Sequence, residues 1–231
     1  MKITVVYGQN HKGSTYRIAR MLAEKLDGDI SEIFLPRDFG EFCVGCAKCI
    51  LHDAKDCPHA ESLQPITQKL DEADVIILAS PVYVYHVTGS MKALLDHYGW
   101  RWMVHRPEGS MFRKQAVCIT TAAGAGMKST CKDMADSLWY WGVGRVYQYG
   151  TAIYAINYQH MSDKKKREIE NKTTALARKI KARHGKIQPS LKTKAFFTMM
   201  HIVRGRKDSQ DADAAYWKQQ GWTGSNRPWK D

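Results

Sequence analysis

Short apolar runs and helical stripes alternate along the first two-thirds of the chain. Ile3–Tyr7 is an apolar run that stops at Gly8. Beyond it, Ile18, Met21, Leu22 and Leu26 recur at the spacing of one helix face. Ile30–Leu35 reads as a second, weaker strand that Pro36 ends. Leu63, Ile66 and Leu70 mark the next helix, and Pro65 is tolerable in its first turn. Val75–Ala79 is apolar at every position, as in a strand buried on both faces. Met91, Leu94, Leu95 and Tyr98 predict another helix, and Ala116–Thr121 a fourth strand. Met127, Cys131, Met134, Leu138 and Trp141 share a further helix face, and Val143–Tyr149 reads as a fifth strand. A long helix is expected from about Ser162 to His184. Ser162 is its N-cap, Ile169, Leu176 and Ile180 its stripe, and Gly185 its stop.

Strands separated by helices in this way predict an α/β fold, a parallel sheet with helices on both faces. Such sheets hold ligands beyond the carboxyl ends of their strands, at the switch point. Gln9–Thr15, Ser80–Tyr85 and Thr120–Gly126 are the loops that fall there. Residues 186–231 break the alternation. Phe196, Phe197, Met199, Met200, Ile202 and Val203 form an apolar patch. Trp217, Trp222 and Trp229 follow in a separate short element that Gly221 is expected to stop. So many aromatics do not stay in water. The tail is therefore expected to pack on the domain or across a dimer interface.

At 231 residues and 44% hydrophobic, the chain has room for one sizeable α/β domain and an appendage, and it is not a disordered protein. Met1 leads almost directly into the first strand, with no leader pattern, so a cytoplasmic protein is expected. The longest apolar runs are too short to span a bilayer. The formal charge of +12 is concentrated. Lys164–Lys207 carries fifteen Lys or Arg against Glu168 and Glu170, so the rest of the chain is near neutral. Such a segment can attract nucleic acid, an acidic partner or a phosphorylated cofactor, or can simply be a solvated helix face and tail. Within it, Lys164–Arg183 has no recognition-helix context and few interleaved aromatics, so nucleic acid is not the expected partner.

The first loop joins a strand to a helix, whose N-terminus suits a phosphate. Ser14 and Thr15 add hydroxyls, Gly13 admits close approach, and His11 and Lys12 add charge. The loop matches neither the Walker pattern nor the dinucleotide glycine pattern, which points to a mononucleotide. In the second loop, Pro81 fixes the backbone and Tyr83 and Tyr85 offer flat surfaces for a planar ring, unless they are plain core-edge residues. The third loop is rich in small residues, so a ring can lie against its backbone. Between the second strand and the next helix, Cys43, Cys46, Cys49 and Cys57 stand in the order C-x2-C-x2-C-x7-C. Four thiolates in one short loop can surround a metal centre; a structural zinc and oxidisable thiols are the other readings. Cys118 and Cys131 are expected in the core.

Ser80-Pro81-Val82-Tyr83, then Gly89-x-Met91-Lys92, then Thr120-Thr121-Ala122-Ala123-Gly124, resemble the flavodoxin-like NADPH-dependent FMN reductase family over roughly residues 1–185. With the cysteines, the chain resembles the iron–sulfur flavoprotein branch. Tyr216-Trp217-x3-Gly221-Trp222 resembles C-terminal extensions of anaerobe proteins in this group. The resemblance implies a doubly wound, five-stranded sheet of order 2-1-3-4-5, with residues 1–185 as the FMN-binding domain and 186–231 as an extension. Gln9, His11, Gly13, Ser14 and Thr15 would hold the FMN phosphate. Pro81, Val82, Tyr83 and Val84 would line the ring and ribityl chain, and Thr121, Ala122, Ala123, Gly124 and Gly126 the far side. Gly8-Gln9-Asn10-His11 departs from the family's common Gly-Ser-Pro-Arg start. Cys43, Cys46, Cys49 and Cys57 would hold a 4Fe–4S cluster, with zinc aided by His52 and His59, or free redox-active thiols, as the alternatives.

The implied function is an FMN-dependent NAD(P)H oxidoreductase. It would pass electrons from a nicotinamide cofactor or carrier to a flavin, quinone, nitro or azo compound, or redox partner. The alternative is a non-enzymatic iron–sulfur flavoprotein electron carrier. No side chain is expected to act as a catalytic acid or base. A homodimer or homotetramer is implied, and no membrane partner.

Overall fold

A computed structural model describes residues 1–155, 158–206 and 211–230. The elements run β1 (Lys2–Tyr7), α1 (Ser14–Leu26), β2 (Asp29–Phe34), α2 (Lys48–Leu51), α3 (Ala60–Glu72), β3 (Val75–Ala79) and α4 (Gly89–His97). Then come β4 (Gln115–Ala122), α5 (Met127–Tyr140), β5 (Arg145–Ala152), α6 (Asp163–Lys181), α7 (Leu191–Arg204) and α8 (Ala212–Gln219). Every strand pairing is parallel, in the order β2-β1-β3-β4-β5. This is the flavodoxin-like order expected from the sequence.

Successive side chains of a strand point to opposite faces. Ile3, Val5, Tyr7, Val75, Ile77, Val117 and Ile119 accordingly share one core with Ile18 and Leu22 of α1 and Ile169 and Ile180 of α6. Val6, Ile76, Leu78, Ala116 and Cys118 share the other with Leu63 and Leu70 of α3, Leu94 of α4 and Leu138 of α5. Burial on both faces explains the unbroken apolar run of β3. Cys118 and Cys131 are buried, as expected, and burial pushes the Cys131 thiol up to about 11.

The fifth strand begins later and ends later than its apolar letters imply. Gly142 adopts φ +88°, its N–H donates to Trp139 O at 2.9 Å, and Val143 N–H donates to Leu138 O at 3.0 Å. That pair of bonds is a Schellman cap on α5. Val143 is thus the apolar residue after a helix stop, not a strand residue. The next position tolerates no side chain: a Cβ on Gly144 would lie 2.3 Å from Phe112 O and 2.5 Å from Ile187 Cγ2. Gly144→Ala is expected to lower stability by about 1–3 kcal/mol, because the first obstacle is backbone. Urea unfolding checks this, and an unchanged midpoint would refute the crowding.

The long helix begins as the sequence predicts, with Ser162 Oγ accepting from Lys165 N–H at 3.2 Å. It ends at Lys181, and a turn leads to Gly185 at φ +71°. Beyond it, Phe197 and Met200 of α7 and Trp217 of α8 pack, with Trp222 and Trp229 of the segment after α8, against Met103 and Phe112. Phe112 and Phe197 meet edge to face at 5.4 Å, a favourable aromatic geometry. The apolar patch of α7 divides: Phe197 and Met200 are buried, while Met199, Ile202 and Val203 stay exposed. Among the described residues, no helix is long and apolar enough to cross a membrane.

Candidate functional site

Beyond the carboxyl ends of β1, β3 and β4 the chain makes three loops that are stitched into one rim. Gly8 N–H donates to Ala79 O at 2.8 Å, and Gly8 O accepts from Thr88 Oγ1 at 2.7 Å and Ser90 Oγ at 3.0 Å. A Cβ on Gly8 would stand 2.7 Å from Thr88 Oγ1, so this crossing requires glycine. Val82 N–H donates to Thr121 O at 2.9 Å, and the hydroxyls of Thr15 and Thr121 meet at 2.6 Å. Gln9 Nε2 donates to the Tyr83 hydroxyl at 2.5 Å.

The rim encloses a cavity of about 630 Å3. Of the residues singled out by sequence, Gln9, His11, Gly13, Ser14 and Thr15 line it from the first loop, Pro81 and Val82 from the second, and Thr121, Ala122 and Ala123 from the third. One end is built for an anion. The N-cap of α1 is Gly13, which supplies no side-chain cap, and the first turn carries no acid. The N–H groups of that turn are left to a ligand, and the helix dipole favours negative charge there. Ser14 Oγ is buried beside them without a hydrogen-bond partner. Lys12 and Arg17 also line the cavity, and no carboxylate does so among the described residues. The other end, with Pro81, Val82, Ala122 and Ala123, is apolar. A molecule with a phosphate at one end and a flat apolar body at the other fits this donor set, and FMN is such a molecule. Tyr7 also borders the cavity; its hydroxyl donates to Glu32 Oε1 at 2.7 Å, and burial followed by that carboxylate pushes its pKa up.

Tyr83, Val84, Gly124 and Gly126 are not among the lining residues. Tyr83 and His86 exchange backbone hydrogen bonds of 2.9 and 3.0 Å around Val84 and Tyr85, which have φ of +48° and +67°. This is a tight hairpin whose tip, Val84, is 93% exposed. A β-branched residue in the left-handed region stores roughly 1–3 kcal/mol of strain. Gly126, at φ +93°, has Val82 Cγ1 only 2.6 Å from where a Cβ would be, so it lets the start of α5 close on the second loop. Sequence reasoning missed a fourth wall: Ile153, Ala155, Tyr158 and Gln159, from the segment after β5. The available signal was topological, since every parallel strand ends on the same side of the sheet.

The cysteine loop follows β2. Cys43 and Cys46 are exposed, and Cys49, on α2, and Cys57 are half-buried. Burial raises the Cys49 pKa, and the thiols of Cys57, Cys43 and Cys46 raise it further, so the four sulfurs are electrostatic neighbours. Four soft donors on one loop fit an iron–sulfur cluster in donor chemistry. The loop is held from the C-terminal side. Arg106 donates to the carbonyls of Cys49 and Ile50 and, at 2.6 Å, to Asp213 Oδ1 of α8. His52 is exposed. His59 instead faces His97 of α4, its Nδ1 2.8 Å from His97 Nε2.

An iron–sulfur flavoprotein of Archaeoglobus fulgidus is 30% identical over 99 residues, which cover 42% of this chain and 48% of that protein. A second one from the same organism is 23% identical over 232 positions, covering 96% of this chain and 100% of that protein. Among solved structures, the NAD(P)H:quinone oxidoreductase from Methanothermobacter marburgensis superposes with a TM-score of 0.55 at 13% identity, over 78% of this chain and 95% of that one. At that identity the likeness speaks for the fold. The family model of the NADPH-dependent FMN reductases matches residues 1–161, well over half of the sequence, and the chain belongs to that family.

Proposed function

We propose that the chain is an FMN-dependent NAD(P)H oxidoreductase of the cytoplasm, with residues 1–185 as the flavin domain and 186–231 as the extension. The observation that carries this reading is the anion end of the cavity. There a bare helix N-terminus and the partnerless Ser14 hydroxyl face an apolar slot. Gln9, His11, Gly13, Ser14 and Thr15 hold the phosphate, with Lys12 and Arg17 supplying charge. Pro81, Val82, Thr121, Ala122 and Ala123 lie along the ring. Tyr83 acts at one remove, by orienting Gln9. Val84, Gly124 and Gly126 shape the hairpin and the start of α5 that close on the rim.

FMN held there would supply the redox chemistry, the capacity to take a hydride from NAD(P)H and to give electrons singly or in pairs to an acceptor. The protein's part is to orient the two partners and keep water away from the ring, and no side chain need move a proton. Free flavins, quinones, and nitro or azo compounds are the acceptor classes to assay. A homodimer or homotetramer accords with the apolar face that Leu191, Met199, Ile202 and Val203 leave exposed on α7. The test is anaerobic titration of the FMN-loaded chain with NADH and NADPH, followed by addition of each acceptor. Bleaching of the flavin and its recovery on adding a quinone are expected. A protein that binds no FMN would end the reading.

A second reading, an iron–sulfur flavoprotein electron carrier, has support from the names of the relatives and from the four neighbouring thiols. In it Cys43, Cys46, Cys49 and Cys57 ligate a 4Fe–4S cluster. FMN-loaded protein that neither NADH nor NADPH reduces, but a low-potential carrier does, would favour it over the enzyme.

A further inference from the structure

Arg101 is fully buried, at 0% exposure, and carries hydrogen-bond donors that the fold leaves unspent. The sequence brings it in on the 3-10 turn Gly99–Arg101 that follows α4. Its Nη2 donates to Asp71 Oδ1 of α3, while Nε and Nη1 are buried without a partner. The rings of Tyr98, Trp100 and Trp141 lie 5.4, 5.6 and 5.6 Å from its Cζ. Such rings favour the charge, but they give the N–H groups no lone pair. Folded chains pair nearly all of their buried donors, so spare ones on a buried guanidinium call for an acceptor.

Arg101 borders a small cavity of about 180 Å3, with Asp53, Arg106, Glu108 and Tyr216 around it. Ala54, Asp71 and Trp100 line both this cavity and a groove of about 570 Å3, so the two adjoin. The groove runs along α3, where Ala60, Leu63, Gln64 and Thr67 share one helix face. Ala54, Ala60, Leu63 and Trp100 make it apolar, and Lys55 and Gln64 stand exposed at its edge. It is built against the cysteine loop: Cys57 N–H donates to Ala54 O at 3.2 Å, and Ala60 N–H to Cys57 O at 2.9 Å. The charges of the small cavity are already matched. Arg101 pairs with Asp71 and Arg106 with Asp213, and Asp53 and Glu108 add two further carboxylates. An anion would be repelled by them, whereas a neutral acceptor is not.

We propose that the groove and the cavity together bind one neutral planar ring compound with carbonyl oxygens, of the quinone class. The ring lies in the apolar groove beside Trp100. One carbonyl oxygen reaches into the cavity and accepts from a spare N–H of Arg101. A ring of the same shape without oxygen would leave that donor unpaired, so the site selects for the carbonyl. Binding makes and breaks no covalent bond and moves no electron. It uses no thiol, so all four cysteines of the loop stay available to a cluster. The site places an electron acceptor against the cysteine loop rather than over the flavin. It does not rest on the flavin reading, because none of its residues lines the flavin cavity.

The test is equilibrium dialysis of duroquinone against the oxidised full chain loaded with FMN, with no reductant present. Every ring position of duroquinone is methylated, so it does not alkylate the cysteines. Saturable binding is expected, with no change in the flavin absorption bands. Durene, the same methylated ring without oxygens, should bind about 10-fold or more weakly. Tetramethylbenzoate, which adds a negative charge, should also bind more weakly than the quinone. Gln64→Trp, at an exposed position, should fill the groove and abolish binding. Arg101→Lys keeps a cation for Asp71 and removes the spare donors. It should cost duroquinone about 10-fold and leave durene unchanged, a split that general damage does not give. If Arg101→Lys does not fold, Gln64→Trp and the quinone-to-durene ratio of the parent decide the question. The proposal fails if duroquinone does not saturate, if durene or tetramethylbenzoate binds as tightly, or if Gln64→Trp leaves its Kd unchanged. Flavin bands that shift on binding would place the quinone over FMN and overturn it too. FMN content is read separately and is expected to be that of the parent in both variants, so failure of the flavin reading would be seen on its own.

Discussion

Ser14→Asp protein is expected to fold normally and to purify without flavin. Ser14 begins α1, and its hydroxyl is buried with no partner while bordering the cavity. Removing an unpartnered hydroxyl takes nothing from the folded chain, so Ser14→Ala should melt within a degree or so of the parent. The same hydroxyl bonded to a phosphate is worth about 1.5–3 kcal/mol, so Ser14→Ala should weaken FMN roughly 10–100-fold. Aspartate adds a like charge beside the phosphate. At about 4 Å and an effective dielectric near 20, each pair of unit charges repels by about 4 kcal/mol. The combined loss exceeds about 5 kcal/mol, or roughly 1,000-fold or more in Kd. The carboxylate also sits at a helix N-terminus, which favours the apo fold by about 0.3–1 kcal/mol. Stability up and flavin lost is a combination that general damage does not give. Fluorescence quenching of added FMN and the apo melting temperature together measure it. Parental affinity in Ser14→Asp would mean that the phosphate binds elsewhere.

The sheet was legible because its core strands are written in a periodicity that packing enforces. Val75–Ala79 has no polar position because both of its faces are covered, and Leu22 and Leu26 recur where α1 meets the sheet. The fifth strand was blurred for two separate reasons. Val143 is apolar because it closes the Schellman cap of α5, not because it lies in the sheet. Gly150 and Ala152 carry little strand preference, yet with Thr151 they pair with Thr120, Thr121 and Ala122 because β4 offers an unpaired edge there. Partner strands override local preference.

The site was legible where its chemistry is local. The proposed phosphate end is one loop and one helix start, so Gly13, Ser14 and Thr15 point to it without help from the rest of the chain. The wall after β5 was not legible, since Ile153 and Tyr158 have no motif and gain meaning only from the strand that carries them. The neighbours of Cys57 were legible only in part, for a similar reason. His52 stands near the cysteines in sequence but is exposed, whereas His97 reaches Cys57 only because α4 packs beside α3. Spacing along the chain finds neighbours within one loop and misses those delivered by a neighbouring helix.

Asp213→Ala is expected to cost about 3–5 kcal/mol and to release the C-terminal helices from the cysteine loop. Asp213 is 5% exposed and accepts from His105 Nδ1 at 2.8 Å, Arg106 Nη1 at 2.6 Å and Arg204 Nη2 at 2.8 Å. Truncating the acid leaves the Arg106 guanidinium in a poorly hydrated place without its counter-charge and Arg204 with Asp211 alone, 2.9 Å away, which is the expensive way to break a buried pair. Asp213→Asn keeps the shape and part of the hydrogen bonding, so it should fall between the parent and Asp213→Ala. The consequence runs along Arg106, which links α8 to the carbonyls of Cys49 and Ile50. With Arg106 unmoored, Cys49 of metal-free protein should react faster with a thiol reagent. FMN affinity should hold at temperatures below unfolding, because no residue of this network lines the flavin cavity. Urea unfolding, alkylation rate and FMN titration therefore give three readouts with different expected signs. A stability loss under about 0.5 kcal/mol would show that water already solvates the two arginines and that the extension is held by Phe197, Trp217 and Trp222 alone.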